Sequence, residues 1–314
     1  MSGFALFTVS YLWSPSTYLI DRNLIDWSPA AAIAAALGFL VAFWLIYDRI
    51  CQWFGFRKNG DAIVGALVFV TICVAAWLAC QLFPGRAAFL LMGAMIATAM
   101  SANVFFWIIP GQRTVVAAMT TGQNTNPADL AIHGKRGKQR SVHNTYFTLP
   151  VLFAMLSNHY SFTYSHSHNW LVLIVMMLAG ALIRQFFVMR HGWRHGRNGH
   201  PWPYAAVGCA FILVTIVALM PERREAPASA AAQPAPTYAA LAPVLAQRCL
   251  LCHGEQVQMK NVRLDTPEQL GRHAQAVYQQ VVVARTMPMN NSTGLTEDER
   301  ALIGRWFQAG APLK

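Results

Sequence analysis

The chain has 314 residues, of which 55% are hydrophobic and only 12% are charged, and its formal net charge is +11. This composition excludes an ordinary soluble domain and is typical of a membrane protein in contact with lipid. Residues 1–220 carry most of the basic excess, with 14 Lys and Arg against 5 Asp and Glu. These basic residues lie in loops between apolar runs, so the charge gives no support to nucleic acid as a partner.

The first 220 residues contain a short apolar segment followed by six longer apolar runs. The short segment, residues 1–12, cannot cross a bilayer and predicts a partial helix. The six longer runs are near the roughly 20 residues that a spanning helix needs, and we expect helices because only closed hydrogen-bonding structures cross lipid. The predicted spans are 29–47, 61–82, 86–109, 143–160, 170–189 and 203–220.

The composition changes abruptly after residue 220. Residues 221–237 are rich in Ala and Pro and predict a flexible linker. Residues 238–314 have nearly balanced charges, with 8 Lys and Arg against 6 Asp and Glu, as is typical of a small separate domain. Near its end, Thr296 and Glu299 form a capping-box pattern before a helix with an apolar periodicity.

The second domain contains Cys249, Cys252 and His253 in the spacing that attaches a c-type haem. Each thiol forms a thioether to the porphyrin, and the histidine becomes an iron ligand. Met287, 34 residues beyond His253, is the predicted second iron ligand, because Met followed by Pro resembles the ligand loop of small c-type cytochromes; Met289 is the alternative. We therefore expect one covalent haem c that carries electrons.

The predicted fold is all-α. It is a polytopic transmembrane helix bundle of about six full spans plus an N-terminal partial helix (1–220), joined by the linker to a class I-like cytochrome c domain (238–314). Haem attachment takes place on the outer side of the bacterial cytoplasmic membrane, so the haem domain should be periplasmic. With this orientation, 11 basic residues lie in inside loops and four in outside connections, as the positive-inside bias requires.

Polar side chains within or beside the spans are the candidate site. Such groups are expensive at membrane depth and usually face a cavity or one another, although an interhelical hydrogen bond explains any single one equally well. The candidate catalytic residues are His143, Asn144, Asn158, His159 and Arg184. Arg140 and Gln185 lie beside them in the fourth and fifth segments, and Asn103 lies inside the third predicted span.

Three segments carry a resemblance to a known family. Residues 109–113 (IPGQR), 138–153 (KQRSVHNTYFTLPVLF) and 155–160 (MLSNHY) resemble the membrane-bound, cytochrome-c-linked urate hydroxylases of bacteria, the PuuD type. The likeness extends along the chain, including the haem module. Members of this family begin with a further transmembrane helix, which we expect this chain to lack, since residues 1–4 resemble the middle of the family's second helix.

The resemblance implies oxidation of urate, with water adding at C5 to give 5-hydroxyisourate. Electrons would leave through the haem to a soluble cytochrome c or a terminal oxidase in the bacterial inner membrane. Two other classes stay open: a non-catalytic, membrane-anchored cytochrome c electron carrier, and redox-coupled transport of an anionic purine.

Urate is a planar anion at neutral pH, so its site needs a cation and amide groups in one plane. Arg184 with Gln185, or Arg140 with Asn144, are the candidate pairs. His143 and His159 are candidate bases. On one helix these histidines would lie roughly 24 Å apart and cannot share a site.

Direct electron transfer from urate to the haem favours the periplasmic end. Asn158, His159 and Tyr160 lie at that end, with the loop residues His166 and His168. The richer basic cluster around His143 is at the cytoplasmic end. A second, b-type haem with two histidine ligands in the bundle would be needed to favour that site instead.

Overall fold

The computed structural model of the protein describes residues 11–21, 24–121, 126–220 and 236–313. Over these residues the chain is helical and has no β-strand, which confirms the predicted all-α class. The chain divides into two compact units, one of residues 1–15 and 28–219 and the other of residues 16–27 and 220–314. The predicted N-terminal partial helix and the predicted linker lie largely outside the described residues.

The described residues of the first unit contain six long helices: α1 (Pro29–Phe54), α2 (Gly60–Leu82), α3 (Gly85–Thr121), α4 (Pro127–Leu156), α5 (Asn169–Arg194) and α6 (Trp202–Ala218). Four of them, α1, α2, α3 and α5, are long and apolar enough to cross a membrane by length and composition, as expected of a membrane protein. Helix α6 is apolar but has only 17 residues. The predicted number of six spans stays a prediction.

The bounds of helices α3 and α4 differ from those of the predicted spans 86–109 and 143–160. Helix α3 continues to Thr121 rather than ending at residue 109, and α4 runs from Pro127 to Leu156 rather than from residue 143 to residue 160. The start of α4 is set by Asn126, whose side-chain oxygen accepts a hydrogen bond from the backbone N–H of Ala128, with Pro127 in the first turn. The two extensions pack against each other, so most of the basic segment predicted as a loop is helical.

Helix α3 passes Pro110 without a break. Proline has no N–H and normally kinks or ends a helix. Here a π-helical segment, Asn103–Ile108, precedes it, and the N–H of Ile109 bonds to the carbonyl of Val104, five residues back. The wider π-helical turn accommodates the proline, so the helix continues past it. It also carries Asn103 and Trp107, which both contribute to the polar site described below.

Small residues let the helices of this unit approach closely. A Cβ atom added at Gly93 of α3 would lie 2.9 Å from the Cβ of Ala154 of α4. A Cβ at Gly208 of α6 would lie 2.9 Å from the carbonyl oxygen of Ala179 of α5. Close backbone packing replaces the hydrophobic driving force that apolar helices lack in lipid. Through such contacts α3 packs on α1, α2 and α4, and α5 packs on α2, α4 and α6.

The C-terminal part of the second unit has its own core. It contains α7 (Tyr238–Arg248), α8 (Pro267–Val277) and α9 (Glu297–Gln308), with a short helix, Leu250–His253, between α7 and α8. The predicted capping box at the start of α9 is confirmed, because Thr296 and Glu299 exchange side-chain and backbone hydrogen bonds. Its most deeply buried core side chains are Leu241, Leu245, Leu270, Ile303 and Trp306.

Glu299 also binds Arg248 of α7, at 3.2 Å. Burial raises the pKa of Glu299, but hydrogen bonds from the Thr296 backbone and from Arg248 outweigh it, so the pKa lies below its usual range. A carboxyl group whose pKa is lowered on folding stabilises the fold above its unfolded pKa, and this contribution disappears as the pH falls through the folded pKa.

We therefore predict that Glu299→Gln weakens α9 at neutral pH and has little effect in acid. Hydrogen exchange of residues 297–308 in the intact protein measures this. Asp298→Asn is the matched control, since Asp298 is an exposed carboxylate in the same first turn of α9 and pairs with no basic side chain among the described residues. Equal protection of both variants at neutral pH would contradict the assignment.

Candidate functional site

A buried ion pair joins three helices of the first unit. The guanidinium of Arg140 on α4 lies 2.6 Å from a carboxylate oxygen of Asp48 on α1, and their side chains are 4% and 13% exposed. The same oxygen accepts a hydrogen bond from Trp107 Nε1 of α3 at 2.8 Å. The guanidinium also lies over the rings of Tyr47 and Trp107, 4.9 and 5.2 Å from their centroids. Each buried charge is thus paired, as charges at membrane depth must be.

A chain of hydrogen bonds leads from this ion pair to His143. Arg140 donates to Asn103 Oδ1 at 3.3 Å, and Asn103 Nδ2 donates to the hydroxyl of Tyr47 at 2.9 Å. Asn103 Nδ2 also donates to Asn144 Oδ1 at 2.8 Å. The Tyr47 hydroxyl lies 2.9 Å from His143 Nδ1. The structure therefore brings His143 and Asn144 together with Arg140, and both polar atoms of the Asn144 amide have a hydrogen-bond partner within the protein.

A cavity of about 770 Å³ opens beside His143, between α1, α2, α4 and α5. This volume lies within the range of about 300–1,000 Å³ that is common for small-molecule sites. Most of its wall is apolar, and much of this apolar surface comes from α2 and α5. The polar residues of its lining include Asp61, Lys138, Gln139, His143, Tyr146 and Gln185.

Two hydrogen-bonded pairs shape the polar part of this cavity. Tyr146 donates from its hydroxyl to Gln185 Oε1. Gln139 Nε2 donates to Asp61 Oδ1 and to the carbonyl of Gly55, both at 3.1 Å, and so ties α4 to the end of α1 and the start of α2. Since its oxygen is occupied, Gln185 presents its amide N–H₂ group as a donor.

Pro150 of α4 also lines the cavity. Because proline has no N–H, the carbonyl of Tyr146 loses its usual helical partner at this position.

The candidate residues at the other end of the unit form a different environment. Asn158 Oδ1 accepts hydrogen bonds from Arg86 Nε at 3.0 Å and from the Tyr11 hydroxyl at 3.3 Å. His159, His166 and His168 are exposed. The cavity does not reach these residues. The structure thus keeps Asn158 and His159 apart from His143, as the spacing predicts, and favours the His143 end.

Arg184 and Gln185 do not form the fork considered from the sequence. Gln185 lines the cavity, whereas Arg184 is absent from its lining. Arg184 Nε is buried and has no hydrogen-bond partner among the described residues. Adjacent residues on a helix point in different directions, so neighbours in sequence do not share a ligand.

Sequence reasoning missed Tyr47, Asp48 and Asp61. Asp48 lies just past the end of the first predicted span and Asp61 at the start of the second. An acidic residue at the edge of an apolar run is a signal for a buried partner or a site. Tyr47 has no such signal, because a tyrosine at a span end is equally typical of the membrane interface.

In the Cys249 to His253 segment of the second unit, hydrogen bonds define the tautomer of the histidine. The backbone N–H of His253 donates to the carbonyl of Cys249 at 2.9 Å. His253 Nδ1 lies 3.2 Å from the carbonyl of Val262, which can only accept. Nδ1 therefore carries the proton and Nε2 keeps a lone pair for a metal. Burial raises the pKa of the Cys249 thiol to about 11, while Cys252 is exposed.

The Met287 loop is held by backbone hydrogen bonds. The N–H of Met287 donates to the carbonyl of Gln280 at 3.1 Å, and its carbonyl accepts from Arg300 at 3.1 Å. Arg300 is buried and donates also to the carbonyl of Val281. The Met287 side chain is partly buried against the core of the unit. Met289 begins the following 3₁₀ turn.

One family model, described as urate oxidase N-terminal, matches residues 1–220 of the chain. No curated protein and no solved structure matches. The matched range includes the first unit's described helices, the buried ion pair and the whole lining of the cavity. The Cys249 to His253 segment lies outside the matched range.

We predict that Asp48→Asn strongly destabilises the first unit. Removing one partner of a buried ion pair leaves an uncompensated charge and typically costs about 3–5 kcal/mol. Thermal unfolding in detergent should show a lower Tm, by roughly 10 °C. Adding Arg140→Gln to this variant removes the stranded charge and should recover part of the loss. A double variant less stable than Asp48→Asn alone would contradict this account.

Proposed function

This chain belongs to the urate oxidase N-terminal family, and we propose that its first unit binds urate in the cavity beside His143 and oxidises it to 5-hydroxyisourate. In the balanced reaction the urate monoanion and water give 5-hydroxyisourate, two electrons and one proton. The observation that carries the proposal is the cavity itself. It lies within the matched range and gathers cationic, amide, phenol and imidazole groups on one wall.

The lining suits a planar purine anion. Lys138 supplies positive charge at the edge of the cavity, and the Gln185 amide and His143 lie deeper. Apolar residues of α2 and α5 cover the faces of the ring and keep bulk water from the reacting carbon.

We further propose that the second unit carries one covalent haem c. Its residues fit that group: the two cysteines and His253 have the required spacing, and His253 has a free Nε2 held in position by Val262. Met287 has a fixed backbone and a partly buried thioether. Near the motif, Leu251 is 72% exposed and Met259 is 56% exposed, so apolar surface remains for a porphyrin to cover.

A bound c-type haem supplies one-electron acceptance and donation. The two electrons of urate therefore have to leave one after the other, toward a soluble cytochrome c or a terminal oxidase. A membrane-anchored carrier without catalysis is the second candidate, but it leaves the cavity of the first unit without a role.

We place the urate site at the cytoplasmic end of the bundle. Lys135 and Lys138 line the cavity, together with Gly55 and Phe56, which directly precede the basic pair Arg57 and Lys58. Basic residues at the ends of spans mark the cytoplasmic side. This replaces the periplasmic site around His159 that the sequence alone favoured. We place the haem unit in the periplasm and the protein in the bacterial inner membrane. Electrons from a cytoplasmic urate site then have to pass through a second redox group in the bundle, such as the b-type haem considered from the sequence, to reach haem c.

We predict that urate reduces the haem under anaerobic conditions in inside-out membrane vesicles, and much more slowly in sealed right-side-out vesicles. Urate is an anion that crosses lipid poorly, so only the first orientation exposes the cavity. Absorbance of the haem measures the rate. Equal rates in both orientations would contradict the assigned side, and no reduction in opened membranes would contradict the proposed reaction.

Lys138→Gln serves as the site variant in this assay. Loss of a partly exposed charge should raise KM for urate by about tenfold or less, since hydrogen bonds to charged groups contribute about 1.5–3 kcal/mol when buried. Lys58→Gln is the matched control, because Lys58 is an exposed loop lysine that does not line the cavity. Equal effects of both changes would mean that only the general surface charge matters.

We predict that Met287→Ala changes the visible spectrum and lowers the reduction potential of the haem, since it removes the soft sulfur ligand. Met289→Ala should leave both unchanged. Spectra of the two purified variants, with haem content measured in parallel, decide between the residues. An unchanged spectrum for Met287→Ala would transfer the role to Met289 or to another group.

A further inference from the structure

The hydrogen bonds around Asn103 can run in only one direction. At one end Arg140, which has donors only, faces Asn103 Oδ1 at 3.3 Å. At the other end Asn144 Nδ2 donates to the backbone carbonyl of Met100, which can only accept, at 3.0 Å. Asn144 therefore turns its oxygen toward Asn103. Both ends assign the same orientation to the Asn103 amide, with its oxygen toward Arg140 and its N–H₂ group toward Tyr47 and Asn144.

This orientation makes the Tyr47 oxygen an acceptor. The phenol keeps its own proton and needs a partner for it, because its side chain is fully buried. The Cys51 thiol also contacts the phenol, but sulfur is a weak acceptor, and His143 Nδ1, 2.9 Å away, takes that role. The Cys51 sulfur reaches the same nitrogen at the longer distance of 3.8 Å. Nδ1 of His143 is thus an acceptor, and the proton of the neutral imidazole must lie on Nε2.

We propose that His143 serves the cavity as a neutral hydrogen-bond donor through Nε2–H, and that Tyr47 and Asn103 are positioning residues that hold it in this tautomer. Nε2 has no hydrogen-bond partner among the described residues, and His143 lines the cavity. The inference rests on the proposed function in taking urate as the ligand. It replaces the role of base that the sequence had indicated for His143.

The tautomer has a consequence for recognition. An Nε2–H group binds a carbonyl oxygen or a deprotonated ring nitrogen, and it rejects a ring N–H at the same position. The site therefore selects the anionic purine by its acceptor edge. The proton released on oxidation cannot pass to Nε2, because Nε2 already carries a proton. It must leave by another group of the lining, where Asp61 provides a carboxylate.

Kinetics of His143 variants separate a donor from a base. Glutamine keeps an N–H group near the position of Nε2, so His143→Gln should lose less than tenfold in kcat, whereas loss of a general base costs about 10²–10⁴. His143→Leu has no donor and should raise KM by about tenfold to a hundredfold. A loss of more than a hundredfold in kcat for His143→Gln, with normal haem content and unchanged Tm, would overturn the proposal.

A double-mutant cycle tests the positioning role. If Tyr47 acts through the His143 tautomer, Tyr47→Phe raises KM in the wild type but adds little in the His143→Gln background. Equal effects in both backgrounds would show that Tyr47 acts independently. Cys51→Ala is the control for the second contact to Nδ1 and should leave KM within about twofold. A larger change would transfer the positioning role from the phenol to the thiol.

The tautomer of His143 can also be determined by NMR, without measuring activity. In protein labelled with ¹⁵N-histidine, the resonances missing from His143→Gln identify His143, and the ¹⁵N shifts distinguish an Nε2–H imidazole from Nδ1–H and from imidazolium. We expect Nε2–H at neutral pH in the wild type and a changed state in Tyr47→Phe. An Nδ1–H or imidazolium signal would overturn the inference even if urate is oxidised, whereas an Nε2–H signal in protein that does not oxidise urate would contradict only the proposed function.

Discussion

The ion pair between Arg140 and Asp48 is the interaction on which the first unit depends. Two charges among apolar helices are tolerated only when they meet in good geometry with their remaining hydrogen-bonding positions filled. Trp107 and Asn103 fill those positions, and the π segment of α3 brings both to the same side. The positions of α1, α3 and α4 relative to one another follow from this requirement.

The same ion pair gives direction to the chemistry beside it. Because the Arg140 guanidinium only donates, the orientation of Asn103 is set, then that of Tyr47, and finally the tautomer of His143. A structural charge pair thus determines which nitrogen of an imidazole reaches the cavity. In the proposed enzyme the helices of the first unit form the substrate site, and the haem of the second unit passes the electrons to the acceptor.

Local signals account for what the sequence predicted correctly. The helical class, the capping box at Thr296 and the grouping of His143 with Arg140 all follow from residue types at short spacing. The bounds of α3 and α4 were wrong, since Pro110 and the basic segment favour a loop while packing between the two helices keeps them helical. Of the two candidate pairs, Arg184 and Gln185 do not line the cavity together, because adjacent residues on a helix point in different directions.

The sequence by itself determined the family and the Cys249 to His253 pattern, since both are carried by residues close together in the chain. Only the tertiary structure decided which polar residues share a site. Asp48 and Arg140 are 92 residues apart in the chain, with Asn103 between them, and no local sequence pattern specifies that the three side chains meet. Their contacts arise from the packing of α1, α3 and α4, which also leaves the cavity at the His143 end rather than near His159.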